Sequence, residues 1–297
     1  MYAIYVVDPA THELVHVVSL RELLTAQRDD NLLEVGKRRP PLTVTADIDR
    51  EEAARLISKY NLLSIPVVDD QRRMLGIVTV DDVIDALVEE TTEDVQRFGG
   101  MEALDAPYME IGFVEMIRKR AGWLCALFIS EMLTATAMQR FQGEIERAAV
   151  LAMFIPLVMS SGGNSGSQAT SLVIRALALQ ELKLRDWWRI ALRELPTGLV
   201  LGSILGVIGF IRIVLWQEIG IFNYGPHYIL LAIAVGFALV GIVAFGSLAG
   251  SMLPFLLKRL GFDPASASAP FVATLVDVTG LVIYFSVAFL VLRGTLL

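Results

Sequence analysis

The sequence predicts a mixed fold class, an N-terminal α/β domain followed by an all-α, five-span transmembrane domain. Three observations carry that reading. Of the 297 residues, 55% are hydrophobic and only 19% charged, whereas an ordinary soluble domain carries about 25% charged residues. Charge is also unevenly divided: residues 1–110 hold 22 of the 32 acidic and 11 of the 25 basic side chains, and the remainder holds 10 acidic and 14 basic ones. The first 90 residues contain an internal repeat of short β-branched runs, and the rest contains five long apolar stretches. An acidic, water-facing front thus precedes an apolar rear. The expected divisions are a pair of α/β modules over 1–90, an acidic connecting helix over 91–120, and the transmembrane domain over 121–297.

The repeat comes first in the chain. Ile4-Tyr5-Val6-Val7-Asp8 matches Ile65-Pro66-Val67-Val68-Asp69, and the run Leu14–Leu23 matches Leu75–Val83. Each copy reads as a strand, a turn, a second strand and a helix opened by Ser or Thr as cap. The second copy also has a preceding amphipathic helix, Arg50–Tyr60, which the first lacks. Its Gly76-Ile77-Val78-Thr79-Val80-Asp81-Asp82 turn reads either as a ligand-holding loop or as a plain helix cap at Thr79, with Ser19-Leu20-Arg21-Glu22 as a weaker counterpart.

An acidic run follows: Asp81, Asp82, Asp85, Glu89, Glu90, Glu93 and Asp94, then Glu102, Asp105 and Glu110. Such a run is usually a solvated helix face. Here bases to pair it are scarce, and clustered carboxylates repel until divalent cations screen them, so the segment is expected to move with ion concentration.

The apolar stretches run over 122–141, 148–179, 195–216, 228–257 and 268–292. Each reaches the ~20 residues an α-helix needs to cross the hydrocarbon core. Bases gather in alternate loops: Arg118, Lys119 and Arg120 before the first span, Lys183, Arg185, Arg189 and Arg193 after the second, Lys258 and Arg259 after the fourth. That asymmetry puts the N-terminal domain in the cytoplasm and, with five spans, the C-terminus outside the cell membrane. Gly198, Gly202, Gly206, Gly246 and Gly250 form small-residue rows, a helix-packing signal.

Two features break the apolar pattern. The run Ser160–Gln168 in the second span is small and polar; its glycines are expected to weaken the helix and free backbone carbonyls, and the alternative is a packing seam. Asp277 stands inside the fifth span with no Lys, Arg or His to neutralise it, and a carboxylate there must face a partner, water or an ion. Ala269, Ala273, Asp277 and Gly280 share one helical face. Glu131, the internal acid of the first span, reads equally as a structural hydrogen bond or an ion contact. Oxygen ligands without Cys, His or Met clusters suit a hard divalent cation such as Mg²⁺, Ca²⁺ or Mn²⁺. One Asp and one polar run make half a ring, so a homodimer with the pore on its axis is the economical assembly.

Several classes are excluded. The acidic balance argues against nucleic acid as a partner. Cys125, the one cysteine, rules out an intrachain disulfide framework and a Cys-rich zinc site. The N-terminus MYAIYVVDPA shows no secretory signal pattern. No constellation points to an enzyme.

The repeat resembles a pair of cystathionine-β-synthase (CBS) modules, the first truncated at its front. Together with Pro156–Leu179 and Asp263–Ala288, it makes the chain similar to the MgtE family of magnesium channels and transporters. The resemblance implies a homodimeric pore lined by the second and fifth spans, with Mg²⁺ as transported and regulatory ion. Asp277 would then bind hydrated Mg²⁺, Asn164, Ser167 and Gln168 would add oxygens, and Asp263 would lie at the cytoplasmic mouth. Asp81, Asp82, Glu102, Asp105 and Glu110 would match the sensing carboxylates, and Thr79 and Asp82 would hold the ribose of ATP. The resemblance also implies that an acidic N domain and the front of the first module are missing here, and that Asn often stands where Ser167 and Ala269 do. The alternatives are a CBS-regulated carrier for another divalent cation, a Mg²⁺/Na⁺ exchanger, and a non-conducting, membrane-anchored nucleotide sensor.

Overall fold

The computed structural model describes residues 3–35 and 40–295, which form two units, Met1–Thr92 and Glu93–Leu297. In the first unit β1 (Ala3–Val7) and β2 (Leu14–Ser19) make an antiparallel hairpin that runs into α1 (Leu20–Thr25). A second sheet holds β3 (Val44–Thr45) parallel to β4 (Ser64–Val68), with β4 antiparallel to β5 (Met74–Thr79). α2 (Arg50–Tyr60) precedes β4, and α3 (Val80–Phe98) follows β5.

The repeat read from the sequence is visible in detail. Both hairpins carry a bulge at the same place, Val6/Val7 and Val67/Val68. Asp8 and Asp69 accept backbone N–H groups two residues on, from Ala10 at 2.8 Å and Gln71 at 2.9 Å, as Asx turns do. His12 and Arg72 both take the left-handed conformation. The two turns bind one another reciprocally, Leu14 N–H to the Arg72 carbonyl at 3.0 Å and Met74 N–H to the His12 carbonyl at 3.1 Å. Ala54 and Ile57 of α2 pack on Val44, Ile65 and Val83 as the buried core. Asp49 caps α2 through the Glu51 N–H, and left-handed Asn61 ends it.

In the second unit five helical segments are long and apolar enough to cross a membrane. α4 (Phe113–Arg140) is followed by two short helices, α5 (Gln142–Arg147) and α6 (Ala149–Ala152), and then by α7 (Ile155–Ala178). α8 (Trp187–Glu218), α9 (Tyr228–Arg259) and α10 (Ala269–Leu292) complete it. α9 packs against α7, α8 and α10, and its Leu231, Val235, Leu239 and Ile242 are the centre of the core. The second span breaks at Met153–Phe154, where Tyr284 of α10 donates its hydroxyl to the Leu151 carbonyl at 2.8 Å.

Three expectations need correction. The segment 91–120 is not one acidic helix: α3 ends at Phe98, 99–112 contains no helix, and α4 opens at Phe113. The cause is Gly99-Gly100, with Gly100 at φ +76°, where a side chain would meet the Trp123 indole at 2.9 Å. Bases are also less scarce along the run than the sequence suggests, since Lys119 and Arg97 fold back onto it. Finally, Ser160–Gln168 stays regular α-helix throughout. Its glycines do not unwind the backbone, because tight packing against α9 holds it: a side chain on Gly250 would stand 2.2 Å from the Gly166 carbonyl oxygen.

Candidate ion site

α7 has two faces of opposite character. One is fixed to α9 through Gly162, Ser165, Gly166 and Thr170, all buried. Ser165 shares a 2.6 Å hydroxyl–hydroxyl bond with Ser247, and Thr170 donates its hydroxyl toward the carbonyls of Gly166 and Gly250, each at 2.8 Å. The packing-seam reading therefore describes this face. On the other face Ser160, Asn164, Gln168 and Ser171 are exposed, and their spacing of four, four and three puts them in one stripe. Asn164 approaches Ser160 Oγ only at 3.5 Å, and Ser167, at the edge, donates to the Ala269 carbonyl at 3.4 Å. An exposed row of amides and hydroxyls in a membrane helix has no place against hydrocarbon and must face protein or water.

Asp277 belongs beside that helix. On its own face of α10, Ala273 meets α7 at Gly163, and Gly280 meets it at Met159. Asp277 is half-buried, and among the described residues its carboxylate has no hydrogen bond or ion pair. Among the described residues, the Glu131 carboxylate of α4 bears on it electrostatically. Trp123 Nε1 donates to Ser268 Oγ at 3.1 Å and fixes the register of α4 against α10. At 1.5 Å per residue, Glu131 lies about 12 Å beyond that bond and Asp277 about 13.5 Å beyond it. The two carboxylates are therefore level. The sequence flagged Glu131 without linking it to Asp277, because register between helices leaves no local pattern.

Asp263 is committed to structure. Its carboxylate accepts from the Arg97 guanidinium, which also pairs with Glu93, and it caps the 3₁₀ turn Pro264–Ser266 through the Ala265 N–H at 2.9 Å. Lys119 donates to Asp105 and to the Ala103 carbonyl, each at 2.6 Å. Asp81, Glu102 and Glu110 are exposed. Among the described residues no three Asp, Glu, His or Cys side chains gather as a metal cage.

In the first unit a cavity of about 290 Å³ lies between α2, the β3–β5 sheet and α3, with Thr45, Arg50 and Asp82 among its polar lining. Thr79 does not reach it. The Thr79 hydroxyl and N–H both bond the Asp82 carboxylate, repeating the Ser19–Glu22 capping box of the first module. Those bonds, hydroxyl first, hold the Asp82 carboxyl below its ordinary value. Arg50 was not singled out in the sequence; it stands at the head of α2, lines the cavity and pairs with Glu89 of α3 at 3.1 Å.

Comparison with known proteins decides the class. Residues 155–287, which hold both the polar stripe and Asp277, match the MgtE model, described as a divalent cation transporter. The membrane unit is similar to the MgtE family over these residues. Residues 34–89 match the CBS domain model. The magnesium transporter MgtE of Thermus thermophilus is 44% identical over 294 residues, 99% of this chain and 63% of that protein. The magnesium transporter MgtE of Enterococcus faecalis is 35% identical, over 99% of this chain and 62% of that protein. The chain thus spans about three-fifths of the length of the curated relatives it matches. A crystal structure of the cytosolic domain of the Mg²⁺ channel MgtE in complex with ATP is 43% identical over 29% of this chain and 34% of that one, with a TM-score of 0.26. The MgtE family is one of transporters rather than enzymes.

Proposed function

We propose that this chain forms a Mg²⁺-conducting pore on the two-fold axis of a homodimer, with its N-terminal unit in the cytoplasm and its C-terminus outside. The observation that carries the reading is Asp277, an unpaired carboxylate in a membrane helix beside an exposed stripe of Ser160, Asn164, Gln168 and Ser171. Mg²⁺ gives up its water reluctantly and is held by one or two carboxylates with several waters kept. One carboxylate per chain, with amide and hydroxyl oxygens at second-sphere range, suits that ion. The relatives named as magnesium transporters support the choice of cargo. Asn164, Gln168 and Ser167 contact the ion through its waters. Asp263 stays bonded to Arg97 and shapes the entrance to α10.

The acidic segment senses intracellular Mg²⁺. Asp81, Glu102 and Glu110 are exposed carboxylates, and Asp82 and Asp105, already bonded to Thr79 and Lys119, join them when hydrated ions screen the run. Sensing works through screening of this acidic run by divalent cations. A second ligand, ATP, is favoured by the cavity itself: Arg50 offers a phosphate fork and Asp82 a ribose acceptor. Both Thr79 bonds end on Asp82 Oδ2, which leaves Oδ1 for that role.

The test is ion uptake into liposomes containing the purified chain. Mg²⁺ influx that Mn²⁺ and Co²⁺ block by competition supports the pore; the absence of any divalent flux, with ATP binding retained, supports a non-conducting nucleotide sensor instead.

A further inference from the structure

We propose that the membrane unit binds an anionic phospholipid headgroup at the corner where α7, α8 and α9 meet. The corner is built on a small apolar knot: Val173, Leu177 and Phe255 are buried, with Leu182, Ile190 and Met252 packed around them. The 3₁₀ turn Leu184–Asp186 lies against α9. Lys183, Arg185 and Arg189 belong to the segment that brings Leu182 and Ile190 to the knot, and Lys258 and Arg259, in the last turn of α9, follow its Phe255. Among the described residues Lys183, Arg185, Lys258 and Arg259 form no ion pair. Arg189 has only the Asp186 carboxylate at 3.8 Å, and that carboxylate already accepts the Lys183 N–H at 2.9 Å. Arg193 has Glu194 beside it and is not part of the site.

Unpaired bases alone would only bias topology. The aromatic and aliphatic side chains beside them point to a lipid. Trp187, Trp188 and Leu184 are about half exposed and Leu192 more so, and all four flank the bases on one short segment. The Arg189 guanidinium lies 5.6 Å from the centre of the Trp188 ring. Tryptophan rings sit at headgroup depth, and leucines next to them reach the acyl chains. A phosphodiester at that depth meets the forked donors of Arg185 and Arg189 from one side and the Lys258 ammonium from the other. A soluble anion would use the bases but leave the exposed Trp and Leu side chains without a partner. The occupant is therefore a membrane lipid with net negative charge. This inference concerns a surface remote from Asp277 in sequence and does not depend on which ion the chain conducts.

The test uses the full chain in phosphatidylcholine vesicles and the emission lost in a W187F/W188F variant, which isolates the two tryptophans at the corner. Brominated phosphatidylglycerol should quench that emission at several-fold lower mole fraction than brominated phosphatidylcholine. Each neutralised base should reduce the preference by up to about fivefold, the factor expected for one Lys or Arg near a membrane surface. R185Q/R189Q/K258Q should therefore abolish the preference, and R185K/R189K, which keeps the charge and the fold, should retain most of it. Equal quenching by the two lipids in the parent overturns the proposal. So does a preference that survives neutralisation, and so does one removed by inorganic phosphate at constant ionic strength, which would assign the corner to a soluble anion.

Discussion

Glu131 of α4 and Asp277 of α10 stand level on two helices locked in register by the Trp123–Ser268 hydrogen bond. Neither carboxylate has a hydrogen bond or ion pair among the described residues. Two like charges at one depth in a membrane repel unless something between them is positive. A hydrated divalent cation near Asp277 would feel both. Replacing Glu131 by Gln should weaken apparent Mg²⁺ affinity in a flux titration by about tenfold, about 1.4 kcal/mol, and leave maximal flux largely intact. Unchanged affinity would assign Glu131 to helix packing or lipid contact.

The two faces of α7 should separate in mutagenesis. Asn164→Leu puts an apolar wall on the exposed stripe and touches nothing in the α9 seam, so flux should be lost with thermal stability in detergent kept. Gly250→Ala pushes a methyl against the Gly166 carbonyl, and overpacking of this kind costs about 1–3 kcal/mol. It should lower the melting temperature first. If Asn164→Leu instead destabilises the protein and leaves flux unchanged, the stripe is a packing surface.

Much of this was legible in the sequence, and what was not has physical reasons. The repeated strand–turn–strand pattern is local, and so Asp8 and Asp69 each open a turn with an Asx bond, and left-handed His12 and Arg72 follow, the first turn being one residue longer. Span count follows from composition alone. The helix break at Gly99-Gly100 was masked by the acidic run, which reads as one amphipathic face on both sides of it. The regular helix over Ser160–Gln168 was hidden for the opposite reason: glycine weakens an isolated helix, and only contact with Gly246 and Gly250 reverses that. Likewise the pairing of Arg97 with Asp263 joins residues far apart in sequence, and no motif announces it.

Asp82 offers a titration test. Its carboxyl is held low mainly by the Thr79 hydroxyl, with the Thr79 N–H second. A depressed folded-state value stabilises the fold above the ordinary carboxylate range, and that contribution is lost as pH falls through the folded value. Thr79→Val removes the hydroxyl at constant shape. The Asp82 carboxyl resonance followed by NMR should then titrate at higher pH, nearer the ordinary value. No shift in Thr79→Val would mean that the Thr79 hydroxyl is not bonded to Asp82 in solution and is free for a ligand.

The sensing reading predicts that Mg²⁺ protects residues 99–112 from proteolysis. Neutralising Glu102 and Asp105 together should reduce that protection and weaken inhibition of flux by Mg²⁺ on the cytoplasmic side, although Asp105→Asn also frees Lys119. Lys119→Met, which frees Asp105 and keeps both acids, should preserve the Mg²⁺ response. Protection that follows ATP and ignores Mg²⁺ would make the domain a nucleotide sensor.

The most direct test of the central claim is Mg²⁺ flux through Asp277→Asn measured in the same liposomes as the parent. The substitution keeps size and most hydrogen bonding and removes only the charge that competes with bulk hydration. The structure-based account predicts that uptake falls by at least tenfold while the protein still inserts and melts as the parent does. Parental Mg²⁺ uptake by Asp277→Asn would contradict it.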